Sequence, residues 1–354
     1  MFAEYRTKPY VILCYEALFR CLLERYRTNE ILIADYNRYY AGFRGEKDVD
    51  YKLALYPHND FLIHPDIRLK NFNHYFQIDT LILTKKFFCI LEIKNISGEL
   101  EYDPVLRQLI QKKGEVENGY KDPILQAEAQ KVNLVTWLQK FNINIPVETI
   151  SVISNPSTII RIKEGDTEIY NKLIHAESLH EHLDKLSLKY TKDVLTKSTI
   201  NKISNTILNE NTPYLPNLFK TYNISEHHLI KGIQCPNCQH YPINRLYKKW
   251  FCPKCSTINH KAHERVILDY FLLYKNTITN KKCRQLLQIT SGRTAYVILN
   301  SMKLSQTGKN SAREYHAPLL KNFPQNSDFL SRNRSILDFN NKNKSEIEDK
   351  FYLN

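Results

Sequence analysis

Hydrophobic spacing along the first 210 residues switches between a period near 3.6 and a period of two, and each switch predicts a change of element. Residues 10–27 place Ile12, Leu18, Phe19, Leu22 and Leu23 on one stripe, which predicts a helix. Cys14 and Cys21 lie on that stripe and read as packing residues. A second helix is expected over 42–55, where Phe43, Glu46, Val49 and Leu53 follow the three-four spacing, so an acid, Glu46, sits on the core-facing side. A short strand at Phe61-Leu62-Ile63 and a turn at His64-Pro65-Asp66 come next. Residues 75–83 and 87–93, rich in β-branched and aromatic side chains, then predict a β-hairpin with Lys85-Lys86 as its loop.

The hairpin carries the first chemistry. If Thr84 and Phe87 close the loop, counting back in step along both strands sets Asp79 directly opposite Glu92. Lys94, two residues on, falls on the same face by the period of two. Two close carboxylates raise each other's pKa unless a cation lies between them. Oxygen donors of this kind suit Mg²⁺ or Mn²⁺, and a lysine beside them can hold or deprotonate a water. A surface ion pair of Lys94 with either acid is the plainer alternative. Both flanking strands are apolar on both faces, however, which implies burial within a sheet.

Gly98-Glu99-Leu100 opens a third strand, and Asp122 followed by Pro123 is a strong helix start. That helix is expected to reach about Lys140, with Gln126 and Gln130 on one face. A buried strand over 147–154 and helices over 176–186 and 191–209 complete an α/β domain of residues 1–210, a mixed sheet flanked by helices. Residues 211–230, with Pro213 and Pro216, read as a linker.

Beyond it, Cys235-Pro236-Asn237-Cys238 and Cys252-Pro253-Lys254-Cys255 have the spacing of two zinc knuckles, so residues 231–260 are expected to form a four-cysteine zinc ribbon. Four thiolates make a closed, structural Zn²⁺ site rather than a catalytic one. Cys89 and Cys283 have no ligand spacing and join the packing group. Residues 261–319 predict a small winged-helix-like unit. A helix runs over 263–274, a short one capped by Thr279 ends near Leu287, and another capped by Ser291 reaches Met302. A hairpin over 304–316 centres on Gly308-Lys309-Asn310. Arg293, Lys303, Lys309 and Arg313 gather where phosphates would lie on a helix-turn-helix, unless the helices form a protein-binding module instead. Residues 320–354, rich in Asn, Ser and charge, are expected to be a flexible tail.

Charge sharpens this division. The chain of 354 residues carries 50 Lys+Arg against 37 Asp+Glu, and its net charge of +13 falls entirely beyond residue 210. Such a basic half points to a polyanion, most simply DNA. No apolar run has the length of a membrane span, and the apolar stretch over 11–23 contains Glu16 and Arg20 and lacks a small-residue cleavage site. A cytoplasmic location without disulfides or membrane contact is the expectation.

The sequence Gly45-Glu46, Gln77-Ile78-Asp79, Glu92-Ile93-Lys94 and Asp122-Pro123-Ile124-Leu125-Gln126 resembles the nuclease-related domain (NERD) family of the PD-(D/E)XK nuclease superfamily over roughly residues 38–155. The first superfamily motif has Ile78 where a proline is usual. The resemblance implies a restriction-endonuclease-like core and a metal-dependent nuclease acting on DNA. In that reading Asp79, Glu92 and the Ile93 carbonyl ligate Mg²⁺ (or Mn²⁺), and Lys94 orients or activates the attacking water. Glu46 completes the metal shell or holds the water, and Gln126 fixes Lys94 or the scissile phosphate. The competing expectation is a non-catalytic DNA-binding regulator or scaffold that keeps the nuclease fold as a platform.

Overall fold

The computed structural model describes residues 1–56, 60–162 and 168–326. The chain divides into two compact units, Met1–Arg6 with Tyr40–Tyr214, and Thr7–Tyr39 with the residues from Leu215 onward. In chain order the first helices are α1 (Tyr10–Cys21) and α2 (Glu30–Leu55), and the unit boundary falls inside α2. No helix among the described residues is long and apolar enough to cross a membrane.

The first unit is built on a five-stranded mixed sheet. Its strands β1 (Leu62–Asn71), β2 (His74–Leu83) and β3 (Phe88–Lys94) pair antiparallel. A second, four-stranded sheet contains β4 (Glu99–Asp103), β5 (Gln108–Lys113), β6 (Val116–Lys121) and β8 (Ile159–Ile162). After α3 (Pro123–Gln139), the first sheet is completed by β7 (Val147–Ile153) and β9 (Leu173–His175), which run parallel to β3. Its order is β1-β2-β3-β7-β9. A short helix, α4 (Ile169–Lys172), precedes β9, and α5 (Leu179–Lys189) and α6 (Lys197–Glu210) follow.

The near-continuous apolar run of β3 is the consequence of burial on both faces. On one face Leu91, Ile93, Ile82 and Val152 pack with Val49 and Leu53 of α2 and Leu179 and Leu183 of α5. On the other, Ile78, Leu81, Phe88 and Ile90 pack with Leu134, Trp137 and Leu138 of α3 and Ile200, Ile203 and Ile207 of α6. The result is the helix–sheet–helix sandwich expected from the sequence. The start of α3 is fixed by Asp122, whose Oδ1 accepts from the N–H of Ile124 (2.7 Å) and Leu125 (3.2 Å) while Oδ2 accepts the Tyr102 hydroxyl (2.9 Å). The β2–β3 loop lacks the usual Asn-Gly because Thr84 does its work: its hydroxyl oxygen accepts from the N–H of Lys86 and Phe87.

The structure departs from the sequence reading in several places. Helix α2 begins twelve residues before Gly42, because Leu32, Ile33 and Tyr36 extend its buried stripe. His64-Pro65-Asp66 is not a turn but the middle of β1. Proline is tolerated there because β1 is the last strand in the sheet order, and the irregularity is absorbed at Asp66, whose φ is 48°. Strands β5 and β6 carry no forecast in the sequence; every residue of β6 is exposed, so no apolar alternation marks it.

In the second unit α1 packs against α8 (Ala262–Leu273), with Cys14 Sγ 3.1 Å from the Leu272 carbonyl and Arg20 in a bidentate pair with Asp269 (2.9 and 2.7 Å). The sequence reading places this N-terminal helix with the first domain, and the structure corrects it. The stretch read as a linker holds a short helix, α7 (Leu218–Thr221). The first cysteine knuckle precedes β10 (Asn244–Leu246), and the second lies between β11 (Lys249–Phe251) and β12 (Ile258–Asn259). Next come β13 (Thr277–Thr279), α9 (Asn280–Leu287), α10 (Gly292–Ser301), β14 (Gln306–Thr307) and β15 (Glu314–His316). Thr279 and Ser291 cap the two helices as the spacing predicts, and the three strands pair in the order β13-β15-β14. The expected flexible tail does not begin at 320: Phe323 is buried and Gln325 Oε1 accepts the Lys8 N–H (2.8 Å). Residues 327–354 of that tail lie outside the described residues.

Gly45 sets how closely α2 approaches the sheet. A Cβ there would stand 2.5 Å from the Asn95 Cβ and closer still to Ser154 Oγ, whereas one at Gly42 meets nothing. Gly45→Ala is therefore expected to destabilise by about 1–3 kcal/mol, and Gly42→Ala to stabilise by about 0.5–1 kcal/mol. Urea unfolding of the two variants checks this, and equal effects would refute the close approach.

Candidate functional site

The β2–β3 ladder has the register expected from its loop, with Leu83 opposite Phe88 and Thr80 opposite Leu91. There the paired rungs stop, while β1 and β2 continue together to Asn71 and His74. The sheet therefore forks immediately beyond Thr80, and the next residues on the two arms are Asp79 and Glu92. Asp79 Oδ2 accepts the N–H of Ile93 (2.8 Å) across the fork. Lys94 Nζ lies 2.6 Å from Glu92 Oε1. Glu92 is buried, and burial together with the nearby Asp79 pushes its carboxyl up to about 7, against the pull of Lys94.

Three residues that the sequence reading did not single out as site residues complete this centre. Arg6, with its side chain only 2% exposed, donates from Nε to Asp50 Oδ2 (2.7 Å) and from Nη1 to Glu46 Oε2 (2.5 Å). Its Nη2 donates to the Asp79 carbonyl and to Thr80 Oγ1, both at 2.8 Å. One guanidinium thus ties α2 to the residue at the fork. Asp66, opposite the fork on β1, accepts from Gln77 Nε2 (3.0 Å), and burial raises its carboxyl, with Asp79 adding to the rise and Arg6 opposing it. Burial also raises Glu46; Arg6 opposes this, and Asp79, Asp66 and Asp50 reinforce it. For Arg6 burial alone would lower the pKa, but Glu46 and Asp50 more than offset it. Asp50 was legible as an acid four residues after Glu46 on one helix face. Arg6 carried no local signal, being 73 residues from Asp79.

Glu46 does not join Asp79 and Glu92 as a third converging ligand; its carboxylate is held by Arg6. Gln126 does not bond Lys94, whose ammonium is on Glu92; Gln126 Oε1 is buried without a hydrogen-bond partner, as is Gln130 Oε1. Asp79 and Glu92 each keep a carboxylate oxygen beyond those bonded to Ile93 and Lys94. Two acids of raised proton affinity, the buried Glu92 and the half-buried Asp66, flank Asp79, and carboxylate oxygens are the donor type that a small divalent cation takes.

Residues 41–154 match the nuclease-related domain. The match spans about a third of the chain and takes in Glu46, Asp79, Glu92, Lys94 and Gln126. It is a nuclease-related family, in keeping with placement in the PD-(D/E)XK superfamily and with the mixed sheet between helices. Neither the curated proteins nor the solved structures contain a match to the chain.

Outside the nuclease-related domain, Cys235, Cys238, Cys252 and Cys255 bring their sulfurs together, with Sγ–Sγ separations of 3.7 Å for Cys235–Cys255 and 3.5 Å for Cys238–Cys252. Tetrahedral thiolates at the usual zinc–sulfur length stand about 3.8 Å apart, so the four fit one Zn²⁺. They are the one group of three or more converging His, Cys, Asp or Glu donors among the described residues. Arg293, Lys303 and Lys309 are exposed, and the Arg313 guanidinium lies over the Tyr296 ring (5.5 Å).

The buried acid and the thiolate cluster each yield a measurable outcome. Because Glu92 is raised from 4.5 to about 7, its contribution to stability is fully present below pH 4.5 and is lost as the pH rises through about 7. Unfolding free energies measured across that window without divalent cations should fall in the wild type and fall less in Glu92→Gln; identical slopes would count against the burial argument. At the cysteines, metal analysis should find about one zinc per chain. Stripping it with a chelator should expose amides of residues 231–260 to hydrogen exchange while the nuclease-related domain stays protected. Four thiols that alkylate freely in zinc-free protein as purified would refute the site.

Proposed function

We propose that the protein is a Mg²⁺- or Mn²⁺-dependent nuclease that hydrolyses phosphodiester bonds in DNA, with its C-terminal unit holding the nucleic acid. The observation that carries this reading is the meeting of Asp79, Glu92 and Lys94 at the fork of the sheet, inside the nuclease-related domain. Asp79, Glu92 and the Ile93 carbonyl would hold the ion. Bound there, a divalent cation supplies Lewis-acid chemistry, polarising a phosphoryl oxygen and making a water more acidic. Lys94, which bonds Glu92 here, would orient the attacking water, or take its proton once it has itself given one up to become the neutral amine. Arg6 keeps Asp79 in place through its carbonyl and holds Glu46 and Asp50 away as a paired group. Gln126, with an unpartnered oxygen on the α3 side, is available to the water or to Lys94.

The division of labour follows from charge. The excess of +13 lies beyond residue 210, where Arg293, Lys303, Lys309 and Arg313 sit on and beside α10 and the β14–β15 hairpin. A winged-helix reading puts α10 against DNA and the hairpin on the adjoining phosphates. The thiolate site, if filled by zinc, serves to fold the ribbon and takes no part in chemistry.

Lys94→Ala and Asp79→Ala should each abolish cleavage of plasmid, linear or single-stranded DNA in Mg²⁺ or Mn²⁺ while leaving DNA binding largely intact. Arg293→Ala with Lys309→Ala should weaken binding and reduce its salt dependence by roughly one unit of log–log slope per lost phosphate contact. Cleavage at saturating DNA should survive in that double variant. Wild-type cutting by Lys94→Ala, once contaminating nucleases are excluded, would place the active site elsewhere. Tight binding with no cleavage by the wild type would favour a DNA-binding regulator.

A further inference from the structure

The arm of the fork formed by β1 and β2 carries a strip of side chains that the proposed chemistry does not use. Past Asp66 and Asp79, the residues of β1 that face away from the core are Arg68 and Lys70, and those of β2 are Gln77 and Tyr75. Arg68 pairs with Gln77 and Lys70 with Tyr75, so the four make two successive rungs of one face. The chain of contacts begins at the acid centre: Gln77 Nε2 donates to Asp66, the Arg68 guanidinium lies 3.9 Å from the centre of the Tyr75 ring, and Lys70 Nζ lies 5.8 Å from it. Tyr214 flanks Arg68 as well, at 5.7 Å.

The strip ends at Phe72, the first residue of the two-residue loop between Asn71 and His74. Phe72 is 75% exposed and has φ 47°. Left-handed backbone at a bulky aromatic is costly, and turns of this length ordinarily place Gly, Asn or Asp there. An exposed ring gains no core packing to offset that cost. Lys140 Nζ reaches over to the same tip, 5.8 Å from the Phe72 ring and 3.1 Å from the Lys70 carbonyl. Exposed rings along a cationic strip, one of them at its tip in an unfavourable conformation, have the chemistry of a stacking platform for unpaired bases with cations for the phosphates beside them. From Asp66 to the tip is six residues, about 20 Å of strand, room for a few nucleotides.

We infer that the outer face of the β1–β2 hairpin binds single-stranded nucleic acid and leads it from Phe72 to the acids at the fork. Resting on the nuclease reading above, this names the substrate it prefers: a single strand, or the frayed end of a duplex. Duplex DNA keeps its bases paired and cannot use the rings, whereas the basic C-terminal unit binds phosphates of either form.

The test is binding, read separately from cleavage. Full-length protein carrying Lys94→Ala, so that nothing is cut, is titrated by fluorescence anisotropy into a labelled thymidine oligomer of about 12 nucleotides and into a blunt duplex of similar length. Phe72→Asn and Tyr75→Ala should each weaken single-strand binding about fivefold or more and change duplex binding less than about twofold. Phe72→Asn should also melt at the same temperature or higher, since asparagine suits the left-handed turn better than phenylalanine. Unchanged single-strand affinity in both variants, or an equal loss for the duplex, overturns the inference. So does a lowered melting temperature in Phe72→Asn, which would make the ring a packing residue. Failure of the nuclease reading would appear elsewhere, as wild-type protein that cuts no substrate.

Discussion

Five carboxylates, Glu46, Asp50, Asp66, Asp79 and Glu92, gather around the fork of the first sheet, and the structure of that region depends on how their repulsion is met. Arg6 answers it from the α2 side with hydrogen bonds to two side-chain carboxylates, a main-chain carbonyl and a hydroxyl. Lys94 answers it from β3 through Glu92. A buried acid left without such a partner gives up its charge or unfolds its surroundings, because the interior cannot solvate it as water does. A guanidinium is well matched to this position, since it stays charged when buried and its planar fork can face several acceptors at once. The cost is that Glu46, which family resemblance would assign to the metal, is committed to an ion pair. Asp79 and Glu92 remain the acids turned toward each other across the gap.

The gap itself comes from a mismatch of ladders. Strand β2 pairs with β1 to the far end of the hairpin but with β3 only as far as Thr80. Where β2 leaves β3, Asp79 and Glu92 stand at the rim of the fork, while Ile78 and Ile93 beside them stay packed under α3 and α2. Acids can occupy that rim without disrupting the apolar faces that hold α2 and α5 on one side and α3 and α6 on the other. Gly45 lets α2 come down close enough beside Asn95 and Ser154 for its acids to meet Arg6 at the same place. Scaffold and candidate chemistry are therefore neighbours but not competitors: the core ends where the charges begin.

Whatever depends on neighbours a few residues apart could be read from the chain alone. The hairpin register follows from one loop closure, and it was right even though Lys85-Lys86 is a poor turn sequence, because Thr84 supplies the missing hydrogen bonds. The Asp122 cap, the helix caps at Thr279 and Ser291 and the convergence of the four cysteines are likewise short-range consequences of residue type and spacing. Each brings a donor and an acceptor, or a set of equivalent thiols, together within a turn or a hairpin, at little cost in loop closure.

Long-range features had no such signature. Proline in an edge strand imitates a turn, and only the pairing of β1 with β2 on both sides of Asp66 showed a continuous strand. The strand β6 exposes all its residues, so its place in a sheet rests on backbone bonds that leave no hydrophobic pattern. The stripe of α1 announced a buried helix but not its partner, since apolar surface is non-directional and α8 satisfies it as well as a nearer element would. Arg6 is the sharpest case. The sequence determined that acids would meet on one hairpin; only the tertiary fold decided which cation reaches them, because that cation arrives from the other end of a domain and charge, unlike periodicity, carries no address.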